Sequence, residues 1–129
     1  MSITRIYLSL PAIHYHSDLA EFVVNTIHVR WSDALIIFPD PNTETYLRHR
    51  KTIDIVVAVP LEDGRVTYGV GGEIELAFER QIPVYLFRMD MFVKLSAPIT
   101  YLSREKTRAL ETDFIQARQQ RYVDIQHDE

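Results

Sequence analysis

Short, wholly apolar runs alternate along this chain with longer stretches whose apolar residues recur every three or four positions. Arg5 to Leu10 (RIYLSL) is the first such run; Pro11 closes it, and it predicts a buried strand rather than the core of a signal peptide. Ser17 then stands as an N-cap, with Asp18 and Glu21 in the favourable first turn of a helix running to about Arg30. Phe22, Val23, Ile27 and Trp31 form its apolar side. Ala34 to Phe38 (ALIIF) predicts a second strand, ended by the breaker PDPN. Thr43 to Thr52 reads as a polar helix. Ile53 to Val59 (IDIVVAV) is the clearest strand, a β-branched run of the kind that parallel sheets bury on both faces.

A loop from Pro60 to Tyr68 leads to a helix predicted from about Gly71 to Arg80, with Ile74, Ala77, Phe78 and Gln81 along one side. Pro83 to Phe87 is a fourth strand and Ile99 to Leu102 a short fifth. Ser103 caps a final helix whose apolar stripe includes Leu110, Phe114 and Ala117, and the polar tail from Gln119 is expected to fray at its end. Strand alternating with helix predicts an α/β fold: a Rossmann-like three-layer sandwich, one domain over residues 1–129, with a mainly parallel sheet of about five strands. The loops after the first three strands should then meet beyond the carboxyl ends of the sheet, where such folds bind ligands.

Composition narrows the field. The 129 residues are 47% apolar and 25% charged, ordinary for a soluble domain, and no apolar run is long enough to span a bilayer. A net charge of −4 argues against a nucleic-acid polymer as partner, but leaves room for a small anion held by local donors. The chain has no cysteine, which excludes disulfides, thiolate nucleophiles and cysteine-ligated zinc, and fits a reducing, cytoplasmic setting.

Chemistry concentrates in TYGVGGEIELAFERQIPV, residues 67–84, which holds three of the four glycines just ahead of Glu73. Three readings fit. Glu73 is helix punctuation, stabilised by the macrodipole. Alternatively GVGG cradles a phosphate on bare amides, although it lacks the Lys-Ser/Thr of a P-loop and the spacing of a dinucleotide fingerprint. In the third reading the glycines admit a sugar close to the backbone, and Glu73 attacks its anomeric carbon as a nucleophile.

Asp54-Ile-Val-Val-Ala58, then Gly69-Val-Gly-Gly-Glu73-Ile-Glu-Leu-Ala77, then Pro83-Val84 resembles the nucleoside 2-deoxyribosyltransferase-like superfamily. The similarity is closest to the branch that hydrolyses nucleoside 5′-monophosphates, which includes the 2′-deoxynucleoside 5′-phosphate N-hydrolases and CMP hydrolases. Gly69-Val70-Gly71 reproduces that branch's GVG, Thr67 stands where it carries a phosphate-binding serine, and Leu95-Ser96-Ala97 resembles its LSA segment. The resemblance implies Glu73 as nucleophile, Tyr7 beside it, and phosphate contacts from Ser9, Thr67, Gly69 and Gly71. It also implies Ser96 reaching the neighbouring subunit's ligand in a homodimer with shared sites, with no metal or other cofactor.

The first loop, LPAIHYHSD, departs from the family in lacking glycine and arginine; His14 and His16 are the candidate donors there. Where the branch carries an assisting Asp, an ungapped alignment gives Tyr46, with Glu44 as the candidate acid and His49 nearby. Gly72 stands where relatives often have an aromatic. Asp54 is read as structural. The implied activity is N-glycosidic hydrolysis of a nucleoside 5′-monophosphate; base exchange by a deoxyribosyltransferase and a non-catalytic nucleotide-binding module are the alternatives.

Overall fold

The computed structural model describes residues 3–15, 17–39 and 52–127, with side chains described as far as residue 117. Among the described residues five strands form one sheet: β1 (Thr4–Ser9), β2 (Ala34–Ile37), β3 (Ile55–Ala58), β4 (Val84–Arg88) and β5 (Met91–Lys94). Their order is β2-β1-β3-β4-β5, parallel throughout except for β5, which pairs antiparallel with β4. Helices α1 (Asp18–Arg30) and α2 (Tyr68–Glu79) cover opposite faces, making the three-layer Rossmann-like sandwich that the alternation predicts. Right-handed crossovers require this placement, because β1–α1–β2 moves one way along the sheet and β3–α2–β4 the other. A final helix, α3 (Arg104–His127), contacts α2 and the short 3-10 turn Ala12–His14.

The period of two along each strand sorts side chains between the faces. Ile6 and Leu8 of β1 join Val57, Val59 and Phe87 under Ala20, Val23 and Ile27 of α1. Tyr7 faces the other way, with Val56, Ala58 and Val84 under Val70, Ile74 and Ala77 of α2. Helix α1 starts as its sequence requires: the Ser17 side chain accepts from the Ala20 amide at 3.2 Å. Ser103 likewise accepts from Lys106 N at 3.2 Å at the start of α3. Asp54 is structural as read. Its carboxylate accepts from Arg5 N and its own amide donates to Arg5 O, both at 2.8 Å, which extends the β1–β3 pairing by one residue.

Several expectations are corrected. The fifth strand is Met91–Lys94, not Ile99–Leu102, whose residues run outside the sheet. Met89 and Asp90, at φ 52° and 63°, make a two-residue turn with both central residues left-handed, the geometry that closes a tight hairpin. Helix α2 begins at Tyr68, three residues before the predicted start, so Gly69, Gly71 and Gly72 lie inside it. Gln81 does not line its apolar face. It takes the left-handed position after the helix (φ 59°), where Gln81 N donates to Phe78 O at 3.1 Å and Ile82 N to Ala77 O at 2.9 Å, a Schellman ending without glycine. Helix α3 continues to His127, and its packed stripe takes in buried Thr107 while Ala117 is exposed. The polar helix expected over Thr43 to Thr52 lies outside the described residues apart from Thr52.

Candidate active site

The sheet order makes β1 and β3 the switch point, where the chain departs to α1 on one face and α2 on the other. A crevice beyond the carboxyl ends of strands at such a point is where open α/β sheets bind ligands. Ser9 is the last residue of β1, and α2 follows the loop after β3. Glu73, on the second turn of α2, reaches this point: Ser9 Oγ donates to Glu73 Oε1 at 3.0 Å. Tyr7, two residues earlier on the same side of β1, also hydrogen-bonds the carboxylate through its side chain. Tyr7 and Ser9 are buried, and Glu73 is half-buried.

This environment sets the acidity of Glu73. Burial raises its pKa from 4.5 to about 7, because a desolvated carboxylate loses its hydration. The hydrogen bonds from Tyr7 and Ser9 pull the other way by favouring the charged form, and burial prevails. No ionic partner offsets that burial among the described residues. A carboxyl group that is half-ionised near neutrality and fixed by two hydroxyls is placed for nucleophilic or acid–base work.

The start of α2 contributes a second feature. Thr67 is its N-cap, but the Thr67 side chain caps no helix amide and makes no hydrogen bond among the described residues. The Tyr68 amide donates to Thr107 Oγ1 at 2.9 Å and the Gly71 amide to Thr67 O at 2.9 Å. Helix geometry leaves the amides of Gly69 and Val70 without a carbonyl four residues back. Gly71 therefore offers no amide to a phosphate. Its missing side chain matters instead: a Cβ there would collide with the Tyr101 ring, whereas Gly69 and Gly72 face open space. Tyr101 also hydrogen-bonds Glu75, one turn further along the same helix, which with burial raises its pKa.

The remaining candidates disperse. His14 is buried with its Nε2 unpartnered among the described residues, edge-on to Phe114 of α3 at 6.3 Å between ring centroids. Burial lowers its pKa, against an opposing pull from Glu62, so it behaves as a neutral packing ring more than as a charged phosphate donor. Ser96 is exposed. It follows Leu95, whose amide donates to Val84 O at 2.9 Å at the amino end of β4, so Ser96 lies at the opposite end of the sheet from Ser9. Glu44, Tyr46, His49 and His16 lie outside the described residues.

Sequence reasoning missed Thr107 as the cap of the Tyr68 amide and did not foresee the hydrogen bond from Ser9 to Glu73. The alternation of Tyr7 and Ser9 on one side of a strand was the available signal. A cleft of about 570 Å³ between Arg65, Arg88, Ile99 and Tyr101 does not include Tyr7, Ser9 or Glu73 in its lining. Among the described residues no group of three or more His, Asp or Glu is placed to hold a metal ion, and no helix is long and apolar enough to cross a membrane.

No known family's sequence pattern matches the chain, and no curated protein does. A solved structure of a conserved protein from Enterococcus faecalis V583 is similar over 66% of this chain and 63% of that one, at 20% identity and a TM-score of 0.48. The chain thus covers less than two thirds of that protein's length, and the likeness carries no information about chemistry.

Proposed function

We propose that the protein hydrolyses the N-glycosidic bond of a nucleoside 5′-monophosphate, with Glu73 as the nucleophile. The observation that carries this reading is the Glu73 carboxylate itself, fixed by Tyr7 and Ser9 at the sheet's switch point. The amide of exposed Gly69, which has no helical carbonyl partner, and the Thr67 hydroxyl, which caps no helix amide, lie one to two turns away on the same helix, and they suit a phosphate. In the first step a Glu73 oxygen bonds to C1′ as the C1′–N bond breaks, and its electron pair leaves with the base, which takes a proton. Water then adds at C1′ and gives up a proton to solvent, the ester C–O bond breaks, and the carboxylate is regenerated. The products are free base and sugar 5-phosphate. Neither step uses a redox cofactor.

The homodimer with shared sites belongs to this reading. Ser96 is remote from its own chain's Glu73, so it serves a phosphate only in the site of a second copy. The test is to incubate the protein with nucleoside 5′-monophosphates and the matching nucleosides, following free base by chromatography beside Glu73→Gln. Release from the monophosphates alone, reduced at least about a thousandfold in the variant, is the expected result. Release that requires a second base would make the protein a transferase. Binding without release would make it a nucleotide-binding module.

A further inference from the structure

Ser9 is fully buried at the end of β1, where a hydroxyl without a hydrogen-bond partner would be costly. Its position is fixed independently of any ligand. Strand β1 is paired on both sides, with Thr4 to Tyr7 against β2 and Ile6 to Ser9 against β3, and the Val59 amide donates to Ser9 O at 2.9 Å. The hydroxyl has one hydrogen-bond acceptor among the described residues, Glu73 Oε1 at 3.0 Å. Tyr7 reaches the same carboxylate from the same side of the strand. The described residues clustered on this face, among them Val56 and Ala58 of β3, Val84 of β4, and Val70 and Ala77 of α2, are apolar, and among the described residues no charge competes for Glu73.

We propose that Ser9 is a positioning residue for Glu73, aiming its carboxylate together with Tyr7, and that it does not contact the substrate's phosphate. A donor on a carboxylate stabilises the charged form relative to the acid, so removing this one must make Glu73 harder to ionise. The kinetic part of the proposal rests on the N-glycosidase reading; the hydrogen-bonding part does not.

The experiment labels glutamate with ¹³C at the carboxyl carbon, assigns the Glu73 signal by its loss in Glu73→Gln, and titrates it by NMR. In Ser9→Ala the Glu73 midpoint should rise by about one pH unit, a tenfold smaller ionisation constant. Ser9→Thr keeps the hydroxyl and should leave the midpoint near that of the parent. Ser9→Cys has nearly the same shape but a weaker donor, and should shift the midpoint in the same direction as alanine; it carries the test if Ser9→Ala does not fold. An unchanged midpoint in the folded alanine or cysteine variant overturns the proposal. Base release measured across pH in the same variants should show its rising limb displaced with the NMR midpoint. An equal loss of rate at every pH, with a raised KM for monophosphates only, would return Ser9 to the phosphate. If the parent releases no base from any monophosphate, the functional reading fails while the NMR midpoint still decides the role of Ser9.

Discussion

The two faces of the sheet are built from the same strands but differ in kind. Under α1 the strand residues are Ile6, Leu8, Val57 and Val59, continued by an aromatic cluster in which Trp31 lies 5.2 Å from Tyr85 and 5.1 Å from Phe92 between ring centroids. Under α2, one residue along the same strand, the pair is Tyr7 and Ser9, and a carboxylate comes down onto it. The first face gains free energy from every buried atom. The second gives some of it up, because burying Glu73 costs stability once the group is ionised. Polar groups in a core that hold an acid in place without neutralising it suit chemistry better than packing.

Substitutions on the two faces should therefore separate stability from acidity. The largest effect on stability is expected for Leu8→Ala, which opens a cavity under α1. It should cost about 2–5 kcal/mol in urea unfolding and leave the Glu73 titration in place. If it moved that titration as far as Ser9→Ala does, the division between the faces would be false.

Next is the pH dependence of folding. Glu73 titrates at about 7 in the folded chain against 4.5 ordinarily, so between these values the native state holds a proton that the unfolded state has released. Stability contributed by this group is present below about pH 4.5 and falls as pH rises to about 7, by up to about 3 kcal/mol. Glu73→Gln lacks this loss. Its advantage over the parent in unfolding free energy should widen between pH 4.5 and 7 and then level off; a constant gap would contradict the buried, raised-pKa carboxylate.

The smallest effects come from the glycines of α2. Gly71→Ala drives a Cβ into Tyr101 and should cost about 1–3 kcal/mol, whereas Gly72→Ala meets open space and should stabilise the helix by about 0.5–1 kcal/mol. Thermal unfolding of the two variants should shift in opposite directions.

Much of this was legible in the sequence because it depends on local pattern. The β-branched run at Ile53 to Val59, the Ser17 and Ser103 caps and the alternation of strands and helices each point to the element that forms there. The missed features depend on distant contacts or on residues in unusual roles. The hairpin to β5 turns on Met89 and Asp90, and Met89 is none of the glycine, asparagine or aspartate that normally marks left-handed turn positions. Helix α2 starts early because Thr107, 39 residues away from Tyr68, supplies an acceptor for its first amide. Glu73 stood out through its glycines, but two of those glycines face open space and the third accommodates Tyr101. Ser9 became meaningful only when β1 and α2 were brought together, and Ser96 was removed from its own chain's site by the hairpin that precedes it.

The most direct test of Glu73 as a nucleophile is to trap its ester. Protein mixed with a nucleoside 5′-monophosphate slowed by fluorine at C2′ would be acid-quenched, digested and read by mass spectrometry. A fluorinated sugar-phosphate adduct on the peptide containing Glu73, absent from Glu73→Gln, is the predicted result. Free base accumulating in the same reaction while that peptide stays unmodified would contradict it, and would make Glu73 an acid or base acting on water instead.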